Sequence, residues 1–88
     1  MNQEFTNQVA EKFVLPPEAV GNVPLIELRG RETICIEHHR GIVEYTAERV
    51  KVAFKRGGIS IIGARLSIVQ MNRRRVEIRG CIRSLELE

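Results

Sequence analysis

The side chains of this sequence that could bind a metal ion are few, and their spacing argues against it. His38 and His39 are the only histidines. Adjacent side chains of a regular strand point to opposite faces, so the two imidazoles cannot chelate one ion together. The two cysteines, Cys35 and Cys81, form no C-x-x-C motif, and no cluster of cysteines and histidines has the spacing of metal ligands. The sequence therefore predicts no metal site.

Nucleophilic catalysis is disfavoured as well. Ser60, Ser67 or Ser84 could be combined with a histidine and a glutamate, but no nucleophile-elbow motif surrounds any of these serines. The chain contains no aspartate, which excludes every dyad or triad built on that residue. A P-loop and a dinucleotide-binding fingerprint are also lacking. We therefore expect a protein that is not an enzyme and has no cofactor.

Charge is distributed unevenly along the chain. Eight glutamates and four basic residues give residues 1–48 a net charge of −4, whereas three glutamates and ten basic residues give residues 49–88 a net charge of +7. This asymmetry suggests an acidic protein surface, an anionic membrane, nucleic acid or a second copy of the chain as partner, with a solvated strand face as the alternative. The candidate partner-binding residues are Arg73, Arg74 and Arg75.

Nucleic acid is an unfavoured partner because a sheet that reads bases normally exposes aromatic side chains for stacking. The chain has one tyrosine, Tyr45, and three phenylalanines. Phe5, Phe13 and Phe54 all fit apolar stripes of predicted elements. Docking to an acidic protein face or an anionic membrane surface is therefore the better interpretation of the basic residues.

Apolar and polar residues alternate after Pro24 in a pattern typical of β-strands. Eight strands are predicted, at residues 25–29, 33–38, 41–46, 49–55, 59–62, 65–71, 76–79 and 81–87. Because every connection between them is short, neighbouring strands should pair antiparallel. The predicted fold class is all-β, a single small domain of about seven to eight mostly antiparallel strands folded into a barrel, roll or sandwich. A β-solenoid-like stack is the alternative.

Glycines and one change of phase mark the predicted bends. Gly30, Gly63 and Gly80 are expected to be corner residues with positive φ, and the pair at 57–58 is expected to form a hairpin. A bulge at residues 83–84 would let the last apolar residues face the core. Most of that core should come from twelve side chains: Ile26, Leu28, Ile34, Ile36, Val50, Val52, Phe54, Ile61, Leu66, Ile68, Val76 and Ile78.

Residues 1–14 place Phe5, Val9 and Phe13 four positions apart, which predicts a short N-terminal α-helix. The 88 residues are thus expected to form one domain, with the helix and connector at 1–24 and the β domain at 25–88. A domain of this size is near the lower limit of independent stability, so a homo-oligomer or a protein partner is expected. With no membrane-spanning run, no signal peptide and reduced cysteines, the expected location is the cytoplasm.

Five segments of the sequence resemble the YabP/YqfC family of sporulation proteins from endospore-forming Firmicutes. They read VPLIELRG at 23–30, IEHHRGIVEYT at 36–46, RVKV at 49–52, ISIIGARL at 59–66 and VEIRG at 76–80. The E-x-H-x-G-I-x-E-Y-T stretch is most similar to the YqfC branch. The resemblance covers about three-quarters of the chain, from roughly Leu15 to Leu87.

The resemblance implies a non-enzymatic interaction or assembly module made in the mother cell during spore formation. It implies no catalytic residues, and it implies a membrane-anchored sporulation protein of the YqfD type as partner. The expected location is then the mother-cell cytoplasm, with the periphery of the membrane around the forespore as a second site. A basic nucleic-acid-binding β domain is the alternative function.

Overall fold

A computed structural model describes residues 23–88, and these residues form six β-strands. The strands are β1 (Leu25–Arg29), β2 (Thr33–Glu37), β3 (Ile42–Tyr45), β4 (Arg49–Ala53), β5 (Gly58–Met71) and β6 (Arg75–Leu87). They form one sheet in the order β1-β2-β6-β5-β4-β3, and all five pairings are antiparallel. The predicted N-terminal helix and most of its connector lie outside the described residues.

The all-β prediction is confirmed, but the strand count and closure differ from it. Residues 59–62 and 65–71 belong to one long strand, as do 76–79 and 81–87, so eight predicted strands become six. The β-solenoid alternative is wrong because no parallel ladder joins these strands. The sheet is open, since β1 and β3 are its two edges, and neither a closed barrel nor a sandwich is present in residues 23–88.

Bulges bend the long β5–β6 hairpin near its middle. Ile62 pairs with Ser84 but Gly63 pairs with Ile82, which leaves Arg83 as an extra residue and confirms the predicted bulge. A second irregularity in β5 contains Arg65, whose φ of 53° is unusual for a residue other than glycine. Because bulges increase strand twist and bend, β2 and β4 extend from differently oriented halves of the hairpin.

One face of the bent sheet carries the hydrophobic core. Fully or nearly fully buried side chains come from both ends of the sheet and form a single cluster: Ile34, Ile36, Val50, Val52, Ile59, Ile61, Leu66, Val76, Ile78 and Ile82. Eight of these were predicted, whereas Ile59 and Ile82 were not. Burial of this amount of apolar surface is the main force that holds the two ends of the sheet together.

Four predicted core residues differ from that cluster. Phe54 and Ile68 are only partly buried and pack against it. Ile26 is 39% exposed and Leu28 is 49% exposed, so their assignment to the core is wrong. Both lie in β1, where a strand with only one neighbour leaves its side chains half uncovered.

The turns before β2 and β4 contact the hairpin in matching ways. The backbone oxygen of Glu32 accepts a hydrogen bond from Gly80 N at 3.0 Å, and that of Glu48 accepts one from Gly63 N at 3.0 Å. The preceding carbonyl in each turn also accepts a bond, from Ile82 N in the first case and Leu66 N in the second, each at 2.8 Å. The β1–β2 and β3–β4 hairpins are therefore attached to β6 and β5 with approximate two-fold symmetry.

This arrangement corrects two of the predicted corners. Gly30 does turn the chain between β1 and β2, with φ of 59°, and the glycine pair at 57–58 does close the β4–β5 hairpin. Gly63 and Gly80, however, lie inside long strands rather than between strands. Gly80 has φ of 151°, whereas Gly63 has no positive φ. Both mark the points where a turn reaches the bend of the central hairpin.

Candidate functional site

The tip of the β5–β6 hairpin carries two of the three predicted partner-binding arginines. Arg73 and Arg74 are exposed there. The turn is held by Asn72, whose Oδ1 accepts hydrogen bonds from the backbone N of Arg74 and of Arg75, both at 2.8 Å. An asparagine that bonds the backbone two and three residues ahead is typical of tight turns. The two guanidinium groups are therefore presented on a well-defined turn.

Arg75 is separated from the other two. It is half-buried in β6, and its Nη2 donates to Cys35 Sγ at 3.2 Å. This hydrogen bond, with smaller contributions from the charges of Glu37 and Glu77, raises the pKa of Arg75. Arg75 therefore supports the sheet surface beside β2, while binding of a partner by Arg73 and Arg74 stays a prediction.

His39 joins two loops through both nitrogens of its ring. It is buried, its Nδ1 accepts a hydrogen bond from Gly41 N at 3.0 Å, and its Nε2 lies 2.8 Å from the carbonyl oxygen of Asn72. Because Nδ1 must offer a lone pair to Gly41, the ring proton is on Nε2 and donates to Asn72. In residues 23–88, no group of three histidine, cysteine or glutamate side chains is placed to hold a metal ion.

The Glu-Tyr-Thr segment that carries the family resemblance also has a structural role. Tyr45 lies in edge strand β3, and its Oη accepts a hydrogen bond from Ile68 N at 3.0 Å in the far half of β5. Thr46 Oγ1 accepts hydrogen bonds from Glu48 N at 3.3 Å and Arg49 N at 2.9 Å, which fixes the β3–β4 turn. Tyr45 therefore ties the two ends of the bent sheet together, a contact that residue spacing does not reveal.

A polar cluster covers the outer face of β4 and β5. The carboxylate of Glu88 pairs with Lys51 Nζ at 2.6 Å and accepts a hydrogen bond from Ser60 Oγ at 3.1 Å. Arg49 Nη2 lies 3.5 Å from the same carboxylate. The hydrogen bond from Lys51 is the main cause of a lowered pKa of Glu88. The cluster balances charges on the surface opposite the core.

Replacing Glu88 with glutamine should change how stability depends on pH. A carboxyl whose folded pKa is below its ordinary 4.5 stabilises the protein above that value, and this stabilisation is lost as pH falls through the folded pKa. The wild-type protein should therefore be more stable than Glu88→Gln at about pH 6, and the difference should shrink toward pH 3. Urea unfolding of both proteins across this range measures the effect. A pH-independent difference would contradict the assignment.

Both edges of the sheet expose apolar side chains. On β1 these are Leu25, Ile26 and Leu28. On β3, Val43 is 62% exposed and the ring of Tyr45 is about half exposed. An edge strand also has backbone N–H and C=O groups with no neighbouring strand to bond to. Apolar surface and unpaired backbone together make each edge suited to strand addition.

The cysteines differ in their surroundings. Cys35 is 3% exposed, whereas Cys81 is exposed on β6, and neither is in a disulfide. A buried free cysteine such as Cys35 packs as a small hydrophobic side chain, whereas Cys81 is open to solvent. Along the described chain there is no helix with the length and apolarity to cross a membrane.

Comparison with known proteins identifies the family of this chain. A search of curated proteins and a search of solved structures each gave no match. A family model described as the YabP family matches residues 22–88, which include every strand described above. The match contains the buried His39, the Tyr45 contact and both glycines at the bend of the central hairpin. The chain belongs to the YabP family.

Proposed function

We propose that this protein is a non-enzymatic interaction module that acts in sporulation of an endospore-forming bacterium. YabP family membership suggests a sporulation-related protein. In this proposal it works in the mother cell, in the cytoplasm or at the membrane around the forespore, and docks on a membrane-anchored sporulation protein of the YqfD type. Self-association into a homo-oligomer is part of the same proposal.

The observation that carries the proposal is the pair of open edge strands. Among the described residues 23–88, β1 and β3 each have a single neighbouring strand, and each exposes apolar side chains. Natural sheets usually protect such edges with charges, prolines or a covering element, because an unprotected edge pairs with other strands. Within residues 23–88, the β1 edge exposes Leu25, Ile26 and Leu28 beside the charged pair of Glu27 and Arg29. An added strand from a partner would cover these side chains and satisfy the free backbone groups.

Two further features support docking through surfaces rather than catalysis. The residues that carry the family resemblance, such as His39 and Tyr45, make internal hydrogen bonds. Arg73 and Arg74 stand exposed on a turn, where they can meet an acidic protein face or an anionic membrane without disturbing the core. We therefore assign recognition of the partner to the β1 and β3 edges of the sheet and to the hairpin tip.

A charged residue on the β1 edge should weaken assembly. We expect Leu28→Lys to reduce self-association and binding of the soluble part of a YqfD-type partner, because an edge lysine opposes strand addition. Ala53→Lys is the control, since Ala53 is partly exposed in β4, pairs with Gly58 of β5 on one side and donates its backbone N–H to the carbonyl oxygen of Gly41 on the other. Light scattering at several protein concentrations and a binding assay with the partner give the two readouts. Equal behaviour of Leu28→Lys and wild type in both assays would contradict edge docking.

Charge reversal at the hairpin tip tests the electrostatic contribution. The double substitution Arg73→Glu and Arg74→Glu should weaken partner binding, with a larger loss at low salt, where charges are least screened. Arg75 is kept because it bonds Cys35. The matched control reverses Lys55 and Arg56, two exposed basic residues at the β4–β5 turn. If the protein is a monomer at every concentration and both reversals leave partner binding unchanged, the basic tip has no docking role.

A further inference from the structure

Three arginines from separate parts of the chain line one open cavity, here called the arginine cavity. Arg31 lies in the β1–β2 turn, Arg65 at the irregularity in β5 and Arg79 in β6. The cavity has a volume of about 510 Å³, and its lining is completed by Glu32, Thr33, Gly80 and Cys81. Neither Arg31 nor Arg65 was singled out by sequence as a partner-binding residue, because the three positions are far apart in the chain.

Backbone contacts hold this arrangement in place. The carbonyl oxygens of Glu32 and Arg31 accept hydrogen bonds from Gly80 N at 3.0 Å and from Ile82 N at 2.8 Å. The β1–β2 turn is thus fixed against the bend of β6. A Cβ atom at Gly80 would lie 2.6 Å from the backbone oxygen of Arg65, so glycine at this position allows β5 and β6 to approach closely beside the cavity. The relative positions of the three arginine backbones are therefore set by the fold rather than by a flexible loop.

The charges on the cavity wall are not balanced. Three guanidinium groups line it with the carboxylate of Glu32, and Glu77 pairs with Arg79, so these five side chains have a net charge of +1. Arg79 Nε is 3.1 Å from Glu77 Oε2, but in the described part of the chain Arg31 and Arg65 form no ion pair. Like charges that are held together by the fold raise the electrostatic free energy of the empty cavity, and an anion would lower it.

The bulge in β5 holds the backbone of Arg65 in an unusual conformation. Its φ of 53° lies in the left-handed region, which costs a residue with a Cβ atom about 1 kcal/mol relative to glycine. Glycine or asparagine would adopt this conformation more easily. Local strain of this kind is concentrated at functional sites, so the side chain of Arg65 is a candidate for contact with a ligand.

We propose that the arginine cavity binds a phosphoryl group, presented either by a free phosphate compound or by a lipid headgroup. Guanidinium groups form paired, charge-assisted hydrogen bonds with phosphate oxygens. A phosphate monoester carries a charge of about −1.5 to −2 at neutral pH, so it can pair with Arg31 and Arg65 together, whereas a carboxylate carries a single charge. This inference goes beyond the proposed function because it requires neither an edge strand nor a protein partner.

Cys81 provides a reporter inside the cavity. It is exposed and belongs to the lining, whereas the other cysteine, Cys35, is 3% exposed, so an alkylating reagent should label Cys81 selectively in the folded protein. Inorganic phosphate should slow labelling by iodoacetamide on the order of fivefold, compared with chloride at equal ionic strength. The bound anion covers the thiol and blocks the approach of the reagent.

Variants separate a bound phosphoryl group from general salt effects. Arg65→Asn removes a cavity charge and keeps a residue that tolerates left-handed geometry, so phosphate protection should be lost. Arg31→Gln, in an exposed turn, gives a second removal in case Arg65→Asn disturbs folding, which circular dichroism would detect. Arg73→Gln at the hairpin tip is the matched control and should keep full protection.

The source of the phosphoryl group is decided by a second arm. The same labelling is carried out with phosphatidylcholine vesicles with and without phosphatidic acid, whose headgroup is a phosphate monoester. Protection by inorganic phosphate alone assigns a soluble ligand, and protection by phosphatidic acid, lost in Arg65→Asn, assigns a lipid headgroup. No protection in either arm, or protection that persists in both Arg65→Asn and Arg31→Gln, would overturn the proposal. The edge-docking proposal is tested separately with Leu28→Lys, so neither outcome of the labelling experiment decides it.

Discussion

Replacing Gly63 with alanine should lower the free energy of unfolding by about 3 kcal/mol or more. A Cβ atom at this position would collide with the backbone oxygen of Cys81, and it would lie 2.9 Å from the carbonyl carbon of that residue and 3.1 Å from Ile82 Cα. All three are backbone atoms of β6, so relief requires that the central hairpin separate. That hairpin connects both ends of the sheet, which makes the cost of separation unusually large.

Urea unfolding followed by circular dichroism measures this effect, and Gly30→Ala is the control. Gly30 has φ of 59° but nothing within 4 Å of its position for a Cβ atom, so alanine there should cost only about 1 kcal/mol of left-handed strain. The pair therefore separates a steric collision from backbone strain. Similar losses in the two variants would show that the close approach of β5 and β6 at Gly63 is not essential.

Replacing His39 with alanine should cost about 2–3 kcal/mol of stability. The substitution leaves Gly41 N and the carbonyl oxygen of Asn72 without the partners that they have at 3.0 Å and 2.8 Å. It also removes one of the hydrogen bonds that join the β2–β3 loop to the β5–β6 turn, which presents Arg73 and Arg74. We therefore expect weaker partner binding as well as a lower midpoint of urea unfolding.

The neighbouring histidine gives the control for this prediction. His38 has φ of 64° and contributes its backbone N to a 2.7 Å hydrogen bond with the carbonyl oxygen of Arg74, and asparagine tolerates that backbone conformation. His38→Asn should therefore change stability by no more than about 0.5 kcal/mol. If His39→Ala were as harmless as His38→Asn, the buried imidazole would not hold the two loops together.

Alternation of apolar residues was sufficient to predict the strands but not where they end. Val50 and Val52 face the core and their polar neighbours face out, as the period of two requires. In the sequence, Gly63 and Gly80 resemble the turn residue Gly30, because each of the three glycines interrupts a strand-like run. The sequence shows only that a side chain is lacking there. Gly30 is needed for positive φ, whereas Gly63 is needed for the close approach of another strand, and only three-dimensional contacts separate these causes.

The candidate site was predictable in part. A run of three arginines correctly indicated a basic turn, but Arg75 turns back to Cys35, a residue 40 positions away. Burial of Leu28 was overestimated because its pattern is that of a core strand, and sequence does not tell which strand becomes an edge. Arg31, Arg65 and Arg79 could not be grouped without the order of strands in the sheet, which alone brings the β1–β2 turn next to β6.

Only one of the five strand pairings joins distant parts of the chain, which sets the order in which the sheet can form. From β3 to β6, each strand pairs with the next strand in the chain. In contrast, β2 pairs with β6, which closes a loop of about 40 residues between Glu37 and Arg75. Loop closure of that length carries an entropic cost, so the β1–β2 hairpin should dock last and detach first. Its amides should then exchange with solvent earlier than those of β4 and β5. Because the hairpin carries one open edge and Arg31, any ligand of either would slow this exchange by mass action.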